Sequence, residues 1–305
     1  MSIKSRLFVE HALKRIERIN TLDNGKETIL LIAKTLSSII PDFLGVTLGG
    51  SRAFGVDDSL SDVEMYFYTK NSVPKLEDID AVLAGLGAQH KRCDSFLWNE
   101  KPWGPHSFFV YDGLYFEVGY RKIDEIRTKI GNYLDGNVEP ERDCHDLGLG
   151  YMYSGLAASV IEEPIIYSQG TEISELKNYA KDFSDKLLNA LKEEYLETAY
   201  NLLEGKMYNA TKRNDYIQYS TLSTRVIRAL IIMAFAINKK HFPGDKWNKT
   251  LLLRTEWKKK EYFVKLLEEY ATIPSIGCEN LSKKRDFLIK AYKILEDEIP
   301  CQKRF

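Results

Sequence analysis

Residues 46–69 read VTLGGSRAFGVDDSLSDVEMYFYT, in which an apolar run ends in two glycines and is followed, after a polar loop, by an alternating segment. Successive side chains of a strand point to opposite faces, so this segment places Val63 and Met65 on one face and Asp62 and Glu64 on the other. Two carboxylates this close repel each other and raise their own pKa unless a cation lies between them. The stretch therefore predicts a strand, a glycine turn and a second strand that carries a pair of acids.

A third acid occurs on a later predicted strand, in the segment GLYFEVGY. There Glu117 faces away from its apolar neighbours Phe116 and Val118. Carboxylate oxygens suit Mg²⁺, which prefers one or two carboxylates together with water and phosphate oxygens. Three carboxylates from two neighbouring strands can hold two ions, the arrangement that aligns an attacking and a leaving oxygen in phosphoryl transfer. Asp62, Glu64 and Glu117 are therefore the candidate metal ligands and catalytic residues.

The glycine turn between the two strands is a candidate anion contact. Gly49 and Gly50 have no Cβ, so backbone N–H groups and the start of a short helix could approach a phosphate closely. Ser51 could donate a hydrogen bond to that phosphate, and Arg52 could neutralise its charge. Arg52 could equally pair with one of three nearby acids, Asp57, Asp58 and Asp62.

Each of these features also has an ordinary structural explanation. A glycine-rich turn is commonly just a tight turn, and two acids that alternate along a strand commonly mark a solvated face. Glu117 alone could be an exposed residue of an edge strand. The conjunction of a strand, a glycine turn, an acid pair and a further strand acid is much less expected by chance, and it favours a functional site.

The periodicity of the chain predicts an α+β fold with two parts. Residues 1–130 alternate between helix and strand patterns, with helices at Phe8–Ile19, Thr28–Ile40 and 75–86. Strands are predicted at 43–48, 61–69, 88–98, 106–112 and 114–122, the last two joined by a hairpin turn at Asp112-Gly113. Residues 131–305 read as an all-helical bundle, with periodic stretches at 143–161, 171–204, 214–241, 258–272 and 280–298.

Composition and charge narrow the class of protein. The 305 residues carry a formal charge of −1, divided as 17 basic against 18 acidic residues up to residue 130 and 26 against 26 after it. Because a protein that grips a polyanion backbone normally has a strongly positive domain, nucleic acid is disfavoured as the main partner. No apolar run reaches the roughly 20 residues of a membrane span, and four scattered cysteines favour free thiols. We expect a cytoplasmic protein without a membrane partner.

The quoted motif resembles the signature of the polymerase-beta-like nucleotidyltransferase superfamily, an apolar strand, Gly-Gly or Gly-Ser, and then an Asp-x-Asp or Asp-x-Glu strand. The residues that fill these places are Gly49, Gly50, Ser51, Asp62 and Glu64, and Glu117 is similar to the third carboxylate. Among the branches, the chain most resembles the small-molecule, aminoglycoside- and lincosamide-type enzymes. In these, an α/β catalytic domain precedes a helical one, as predicted here for 1–130 and 131–305. The segment MAFAINKKHFPGDKW is similar to a helix-end element of bacterial members, with Lys246 placed to reach a nucleotide phosphate.

The resemblance implies a metal-dependent transfer of a nucleoside monophosphate. Mg²⁺ on Asp62 and Glu64 would bind a nucleoside triphosphate, with ATP as the first candidate, and the Ser51 turn and Lys246 would hold its phosphates. A hydroxyl of a small molecule, such as an aminoglycoside or lincosamide antibiotic, would attack the α-phosphorus and release pyrophosphate. Whether Glu117 is a metal ligand or the general base stays open, as do the acceptor and the base of the nucleotide.

Other functions stay open at this point. The chain could be a non-catalytic relative, either a nucleotide-binding module or an antitoxin-like regulatory partner. It could also be a nucleotidyltransferase that acts on RNA or on a protein side chain, although the charge balance disfavours the RNA version. Helical second domains with wide apolar faces, such as 226–237 here, can pair, so a homodimer is one possible assembly.

Overall fold

The computed structural model describes residues 25–94, 104–141 and 150–299 of the chain, and the predicted helix Phe8–Ile19 lies outside these ranges. The described residues fall into two compact units. The first unit contains the residues up to Ile130 together with Ser159–Lys181, and the second contains Gly131–Ala158 and the residues from Asp182 onward. The stretch 159–181 therefore belongs with the sheet, although the sequence places it in the helical part.

The first unit contains a six-stranded mixed sheet in the order β3-β4-β5-β2-β1-β6. The neighbours β2 and β5 run parallel, and every other neighbouring pair is antiparallel. The strands are β1 Phe43–Leu48, β2 Val63–Thr69, β3 Gln89–Asp94, β4 His106–Tyr111, β5 Leu114–Lys122 and β6 Ile165–Ser168.

One face of this sheet is covered by two helices, α1 Gly25–Ser37 and α3 Leu76–Gly85, whereas the short α2, Gly50–Ala53, follows β1 directly. The alternation of β2 decides which face is covered, because Val63, Met65 and Phe67 all point into the core and are almost fully buried. The helices add Ile32, Leu36, Ile79 and Leu83 to the same cluster. The opposite face of β2 carries Glu64, Tyr66 and Tyr68, whose side chains all have polar atoms.

The turn between β4 and β5 matches its predicted chemistry. Asp112 and Gly113 both have positive φ, 50° and 76°, and Tyr111 pairs with Leu114 across the turn. A two-residue hairpin with positive φ at both positions suits the right-handed twist of the strands, and an Asp-Gly pair adopts it at low cost. The predicted hairpin is confirmed.

The sixth strand corrects the prediction of an all-helical second half. β6 pairs antiparallel with β1 at the edge of the sheet, with Gly45 opposite Ser168 and Val46 opposite Tyr167. Its four residues, IIYS, are too few to show an alternating pattern in the sequence. Gly45 permits the pairing, because a Cβ there would lie 2.6 Å from the Tyr167 carbonyl oxygen.

The second unit is helical in its described residues apart from one isolated bridge between Glu141 and Tyr151. Two of its helix starts have capping residues, since Ser184 accepts a hydrogen bond from Leu187 N–H and Asp215 accepts one from Gln218 N–H.

Residues 185–212 form one continuous helical stretch with π-helical turns at Lys192–Leu196 and Leu202–Met207. The remaining helices of the described residues are α4 Ile123–Leu134, α5 Tyr153–Glu162, α6 Glu172–Ala180, α7 Asp185–Leu191, α8 Glu197–Asn201, α9 Tyr208–Lys212, α10 Tyr216–Ala236, α11 Asn248–Leu253, α12 Lys260–Thr272 and α13 Cys278–Glu298. The boundaries of the two units at Ile130 and Ser159 fall inside α4 and α5.

Helix α10 is the one helix of the described residues that is long and apolar enough to cross a membrane, with a mean hydropathy of 1.2. In the structure, 67% of this apolar window is buried inside the protein. Its buried side chains include Val226, Leu230, Met233 and Phe235. Helix α10 is therefore mostly buried by the protein itself, which is typical of a core helix.

Phe67 is fully buried in the core of the first unit, where its ring contacts the rings of Phe43 and Tyr120. We expect Phe67→Ala to lower the free energy of unfolding by about 3–5 kcal/mol, because the substitution leaves a cavity between the strands. Urea unfolding followed by circular dichroism measures the loss. Leu30→Ala, at an exposed position of α1, is the control and should change stability by no more than about 0.5 kcal/mol. Equal losses in the two variants would contradict the assigned core.

Candidate active site

The parallel pairing of β2 with β5 brings two of the predicted acids together. In the register of these strands Glu64 lies directly opposite Glu117, while Met65 lies opposite Val118. Met65 and Val118 are buried in the core, so the two carboxylates project from the other face of the sheet. Glu64 and Glu117 are both partly exposed. They are therefore neighbours at the same level of the sheet and open to solvent.

The two glycines after β1 pack against the side chains of β2. Gly49 N–H donates a hydrogen bond to the backbone oxygen of Glu64 at 2.8 Å. A Cβ on Gly50 would overlap the Glu64 carboxylate, and Gly50 also has a positive φ of 58°. A Cβ on Gly49 would overlap the ring of Tyr66. The Tyr66 ring thus favours glycine at position 49, whereas at position 50 the positive φ favours glycine and a Cβ would also force the Glu64 carboxylate to move.

Tyr66 lies next to Glu64 on the same face of β2 and holds its carboxylate. The Tyr66 hydroxyl donates a hydrogen bond to Glu64 Oε2 at 2.8 Å. Burial raises the pKa of Tyr66 well above its usual value, and the negative charge of Glu64 raises it further. The phenol therefore stays protonated and acts as a hydrogen-bond donor at every physiological pH.

A buried ion pair lies on the same face of the sheet, farther along β5. Arg121 Nη1 is 2.8 Å from Glu163 Oε1, and both side chains are almost completely removed from solvent. The Arg121 guanidinium also stacks on the ring of Tyr66, with its central carbon 3.3 Å from the ring centroid. Glu163 follows α5, in the stretch that returns to the sheet as β6. The ion pair therefore ties this returning stretch to the strand that carries Glu117.

Glu163 is held in its charged form by several donors. Thr47, Tyr68 and Ser159 each donate a hydroxyl hydrogen bond to its carboxylate, at 2.7, 2.9 and 2.6 Å. Burial alone would raise the pKa of Glu163, but the Arg121 guanidinium and these hydrogen bonds outweigh it, so the pKa lies below its usual value. Burial alone would lower the pKa of Arg121, but the charges of Glu163, Tyr68 and Tyr66 together with the hydrogen bond to Glu163 outweigh it, so the pKa is raised.

His106 is a buried neighbour of Glu117. Its Nε2 lies 3.7 Å from Glu117 Oε1, and its Nδ1 lies 2.8 Å from the carbonyl oxygen of Gly104. Burial lowers the pKa of His106 to about 4, and the positive charge of Arg121 adds to this shift. The imidazole is therefore neutral near pH 7, and it supplies no positive charge to Glu117.

Arg52 binds the loop between α2 and β2. Its Nε donates to the backbone oxygen of Asp62 at 3.1 Å, and its Nη1 pairs with Asp57 at 3.2 Å. Of the two roles that the sequence left open, the structure shows the pairing with a nearby acid. Arg52 thus binds the loop at Asp62, the residue immediately before β2. A contact between Arg52 and a phosphate stays a prediction.

Two other predicted nucleotide contacts lie on different units. Ser51 lies in α2, directly after the glycine pair, and is partly exposed. Lys246 is exposed and lies in the second unit, between α10 and α11. The predicted binding of phosphate by either residue stays a prediction.

The donor set of the site fits a hard divalent cation. Within the described ranges, no three His, Cys, Asp or Glu side chains are gathered into a cluster that would hold a metal ion by themselves. Glu64 and Glu117 nevertheless supply two adjacent carboxylates, and Asp62 immediately precedes β2. Mg²⁺ characteristically takes one or two carboxylates and completes its shell with water and phosphate oxygens. The chemistry of these residues is therefore compatible with Mg²⁺.

Four residues of this face were not singled out from the sequence, namely Tyr66, His106, Arg121 and Glu163. Tyr66 and Arg121 share the alternation of the acids on their own strands, which is the signal that could have indicated them. Glu163 gives no such signal, because it reaches the sheet through a return of the chain that the sequence does not show. The burial that makes His106 neutral is likewise invisible in one sequence.

The similarity of this chain to a solved structure is weak. No protein-family model and no curated protein matches the chain. A solved structure of a nucleotidyltransferase-like protein from Exiguobacterium sibiricum 255-15 is similar, with a TM-score of 0.43 and 11% sequence identity. The similarity covers 88% of this chain and 75% of the other. At this TM-score and identity it does not establish a shared activity.

The overlap between Gly50 and Glu64 predicts a specific double-mutant result. Gly50→Ala should lower stability by more than the roughly 1–2 kcal/mol that a Cβ costs at positive φ, because the methyl group also displaces the Glu64 carboxylate. The excess should disappear when Glu64 is replaced by Ala in the same chain. Urea unfolding of the two single variants and the double variant measures this coupling.

Gly113→Ala is the matched control for that experiment. Gly113 also has positive φ, 76°, but a Cβ there would meet no atom within 4 Å. Its substitution should therefore show the backbone cost alone, and that cost should not depend on Glu64. Equal losses at Gly50 and Gly113 would mean that the carboxylate does not pack on the turn.

The buried ion pair predicts a pH-dependent stability difference. Glu163→Gln should destabilise the protein by about 3–5 kcal/mol near pH 7, because it leaves Arg121 buried without a counter-ion. The pKa of Glu163 is lower folded than unfolded, so its contribution is complete above the unfolded value of about 4.3 and is lost as the pH falls toward the folded value. The stability difference between wild type and variant should therefore narrow below about pH 4.3.

Urea unfolding from pH 3 to pH 7 tests this expectation. Glu125→Gln is the control, since Glu125 is an exposed partner of Lys122 and its difference from wild type should stay small throughout. A Glu163→Gln difference that stays constant down to pH 3 would contradict the assigned charge state.

Proposed function

We propose that the chain is a metal-dependent nucleotidyltransferase that moves a nucleoside monophosphate from a nucleoside triphosphate to a hydroxyl of a small molecule and releases pyrophosphate. The observation that carries the proposal is the adjacency of Glu64 and Glu117 on parallel strands, at the end of the sheet where Gly50 packs on the Glu64 carboxylate. Asp62, one position before β2, supplies a third acid. This combination of turn and acids supports phosphoryl transfer better than a merely solvated strand face.

Asp62 and Glu64 are the residues that would hold the ion, with Glu117 as the third candidate ligand. Bound Mg²⁺ would supply positive charge that neutralises the triphosphate and stabilises the charge that develops during transfer. Glu64 enters this role with its carboxylate already oriented by the Tyr66 hydroxyl. Glu117 either binds the ion or accepts the proton of the acceptor hydroxyl, for which it needs only hydrogen-bond reach. Because burial lowers the pKa of His106, the imidazole beside Glu117 is neutral near pH 7 and does not take the place of a cation there.

The proposed contacts to the triphosphate follow the glycine turn. The first hydrogen bond within α2 runs from Ala53 N–H to the Gly49 carbonyl, so the N–H groups of Gly50 and Ser51 precede it. These groups and the Ser51 hydroxyl are the proposed phosphate donors, and Lys246 is the proposed additional cation. ATP is the first nucleotide to test. Other triphosphates follow, because nothing in the described residues selects a base.

The proposed acceptor is a small hydroxylated molecule. Both halves of the sequence are close to neutral, which does not favour a nucleic acid as the acceptor. The resemblance of the motif to the drug-modifying branch makes aminoglycosides and lincosamides the first compounds to test, and antibiotic resistance the first cellular role. A cytoplasmic location is part of the proposal, and the burial of α10 within the protein supports only that this helix does not span a membrane.

Release of pyrophosphate from Mg²⁺-ATP, and then from other triphosphates, tests the proposal against a panel of such acceptors. We expect release that requires one acceptor and falls at least about 100-fold in the Asp62→Ala, Glu64→Ala double variant, because its ion ligands are gone. Glu125→Ala removes an exposed carboxylate of α4 and should leave the rate unchanged. Chelation of divalent ions should abolish the rate in the wild type.

Three outcomes of this assay would count against the proposed function or its assigned residues. Acceptor-dependent release that survives the double substitution would mean that these acids are not the catalytic residues. Mg²⁺-dependent nucleotide binding without release across the panel would favour the non-catalytic, regulatory alternative or a different acceptor class. Absence of nucleotide binding altogether would refute the proposed function.

A further inference from the structure

We propose that Tyr66 is a positioning residue that fixes the Glu64 carboxylate in one orientation for metal binding, and that the fold builds a slot for its ring. The inference rests on the proposed function, because it assigns Glu64 as an ion ligand. Tyr66 itself binds neither substrate nor metal in this assignment and acts through Glu64.

The contact between the two side chains is direct. The Tyr66 hydroxyl is 2.8 Å from Glu64 Oε2, and the two residues share one face of β2. On its other side the Glu64 carboxylate packs against Gly50, where a Cβ would overlap it. A glutamate has three side-chain torsions, and a carboxylate confined on two sides loses most of the freedom that these torsions give it. The oxygens of Glu64 are therefore presented in a defined direction before any ion arrives.

The ring of Tyr66 occupies a slot that three other residues shape. A Cβ on Gly49 would overlap one edge of the ring, and a Cβ on Gly119 would lie 2.8 Å from the Cδ1 atom of the opposite edge. The Arg121 guanidinium covers a face of the ring, 3.3 Å from its centroid. Gly119 is the β5 neighbour of Tyr66 in the parallel register, so β2 and β5 together form this slot.

The slot is rigid because its charged wall is anchored. Arg121 Nη1 donates to both Glu163 and Tyr68, and Glu163 is itself held by Thr47 and Ser159. A buried, hydrogen-bonded ion pair does not reorient without breaking several contacts. The chain of contacts from Glu163 through Arg121 to the Tyr66 ring thus holds the hydroxyl that orients Glu64. Partners that orient a metal ligand in this way change metal affinity by about 10–100-fold when they are removed.

Binding of Mn²⁺ to the full-length protein, followed by the loss of the free-ion signal in electron paramagnetic resonance, tests the assignment. We expect Tyr66→Phe to weaken Mn²⁺ binding about 10-fold or more, because Glu64 loses its orienting donor. Glu64→Ala should abolish the same binding. If wild type binds Mn²⁺ and Tyr66→Phe binds it equally well, the positioning role is overturned while the metal site stands.

Tyr120→Phe is the matched control. Tyr120 is an equally buried tyrosine of the same sheet, and its hydroxyl lies 3.2 Å from Ser107 Oγ on the core face. Its substitution should lower stability but leave Mn²⁺ affinity unchanged. A similar loss of affinity in Tyr120→Phe would mean that the effect of Tyr66→Phe reports general destabilisation.

A second variant displaces the ring without removing the hydroxyl. Gly119→Ala places a methyl group against Tyr66 and His106 Nε2, and Gly119 has no positive φ that would add backbone strain. It should weaken Mn²⁺ binding as Tyr66→Phe does, and it keeps the test available if that variant fails to fold. Gly85→Ala, with no atom near its Cβ, is the control for the added methyl group.

A double-mutant cycle with Tyr66→Phe and Glu64→Ala, each of which removes one partner of the hydrogen bond, separates this proposal from the proposed function. If the hydroxyl holds the carboxylate, the shifts in urea midpoint of the two single variants will not add in the double variant, with or without metal. Additive shifts would overturn the positioning contact. If wild type takes up no Mn²⁺, metal dependence fails and the cycle alone decides on Tyr66.

Discussion

The parallel register of β2 and β5 places Glu64 opposite Glu117 and Met65 opposite Val118, so the same pairing aligns the core side chains and the acids of the site. Met65 and Val118 meet among the apolar side chains below the sheet, while the two carboxylates meet above it. A slip of one residue would exchange the two faces of a strand, burying an acid and exposing a core side chain. The hydrophobic effect that holds the register therefore also sets the spacing of the acids, and no separate interaction is needed to bring them together.

The polar face of the sheet has two electrostatic zones. Toward the glycine turn, Glu64 and Glu117 are partly exposed and their mutual repulsion favours a bound cation. Farther along, the charge of Glu163 is matched by Arg121 and shielded from solvent. The Tyr66 ring lies between Arg121 and Glu64, with its hydroxyl toward the acid and its face toward the cation. The guanidinium is thereby committed to Glu163.

The sequence predicted the elements that depend on local pattern. Alternation in β2 and β5 gave the faces of the strands, and the Asp112-Gly113 pair gave the hairpin. The motif indicated Glu64 and the glycines as contacts of a ligand. The structure adds that Gly50 packs on the Glu64 carboxylate, which is a reason for glycine there that needs no ligand. What the sequence could not predict depends on distant parts of the chain. β6 is too short to show a period, and Glu163, the buried partner of Arg121, is brought to it only by the return of residues 159–181.

This return also bears on how the protein is made. Glu163 and the edge strand that follows it are synthesised after residues 131–158, which belong to the second unit. A nascent chain that ends before residue 163 carries Arg121 and Tyr68 without the carboxylate that they bind. An unpaired guanidinium disfavours closure of that face, because burying a lone charge is costly. The sheet can therefore be completed only after residues 159–168 have been synthesised, although its other five strands precede residue 123.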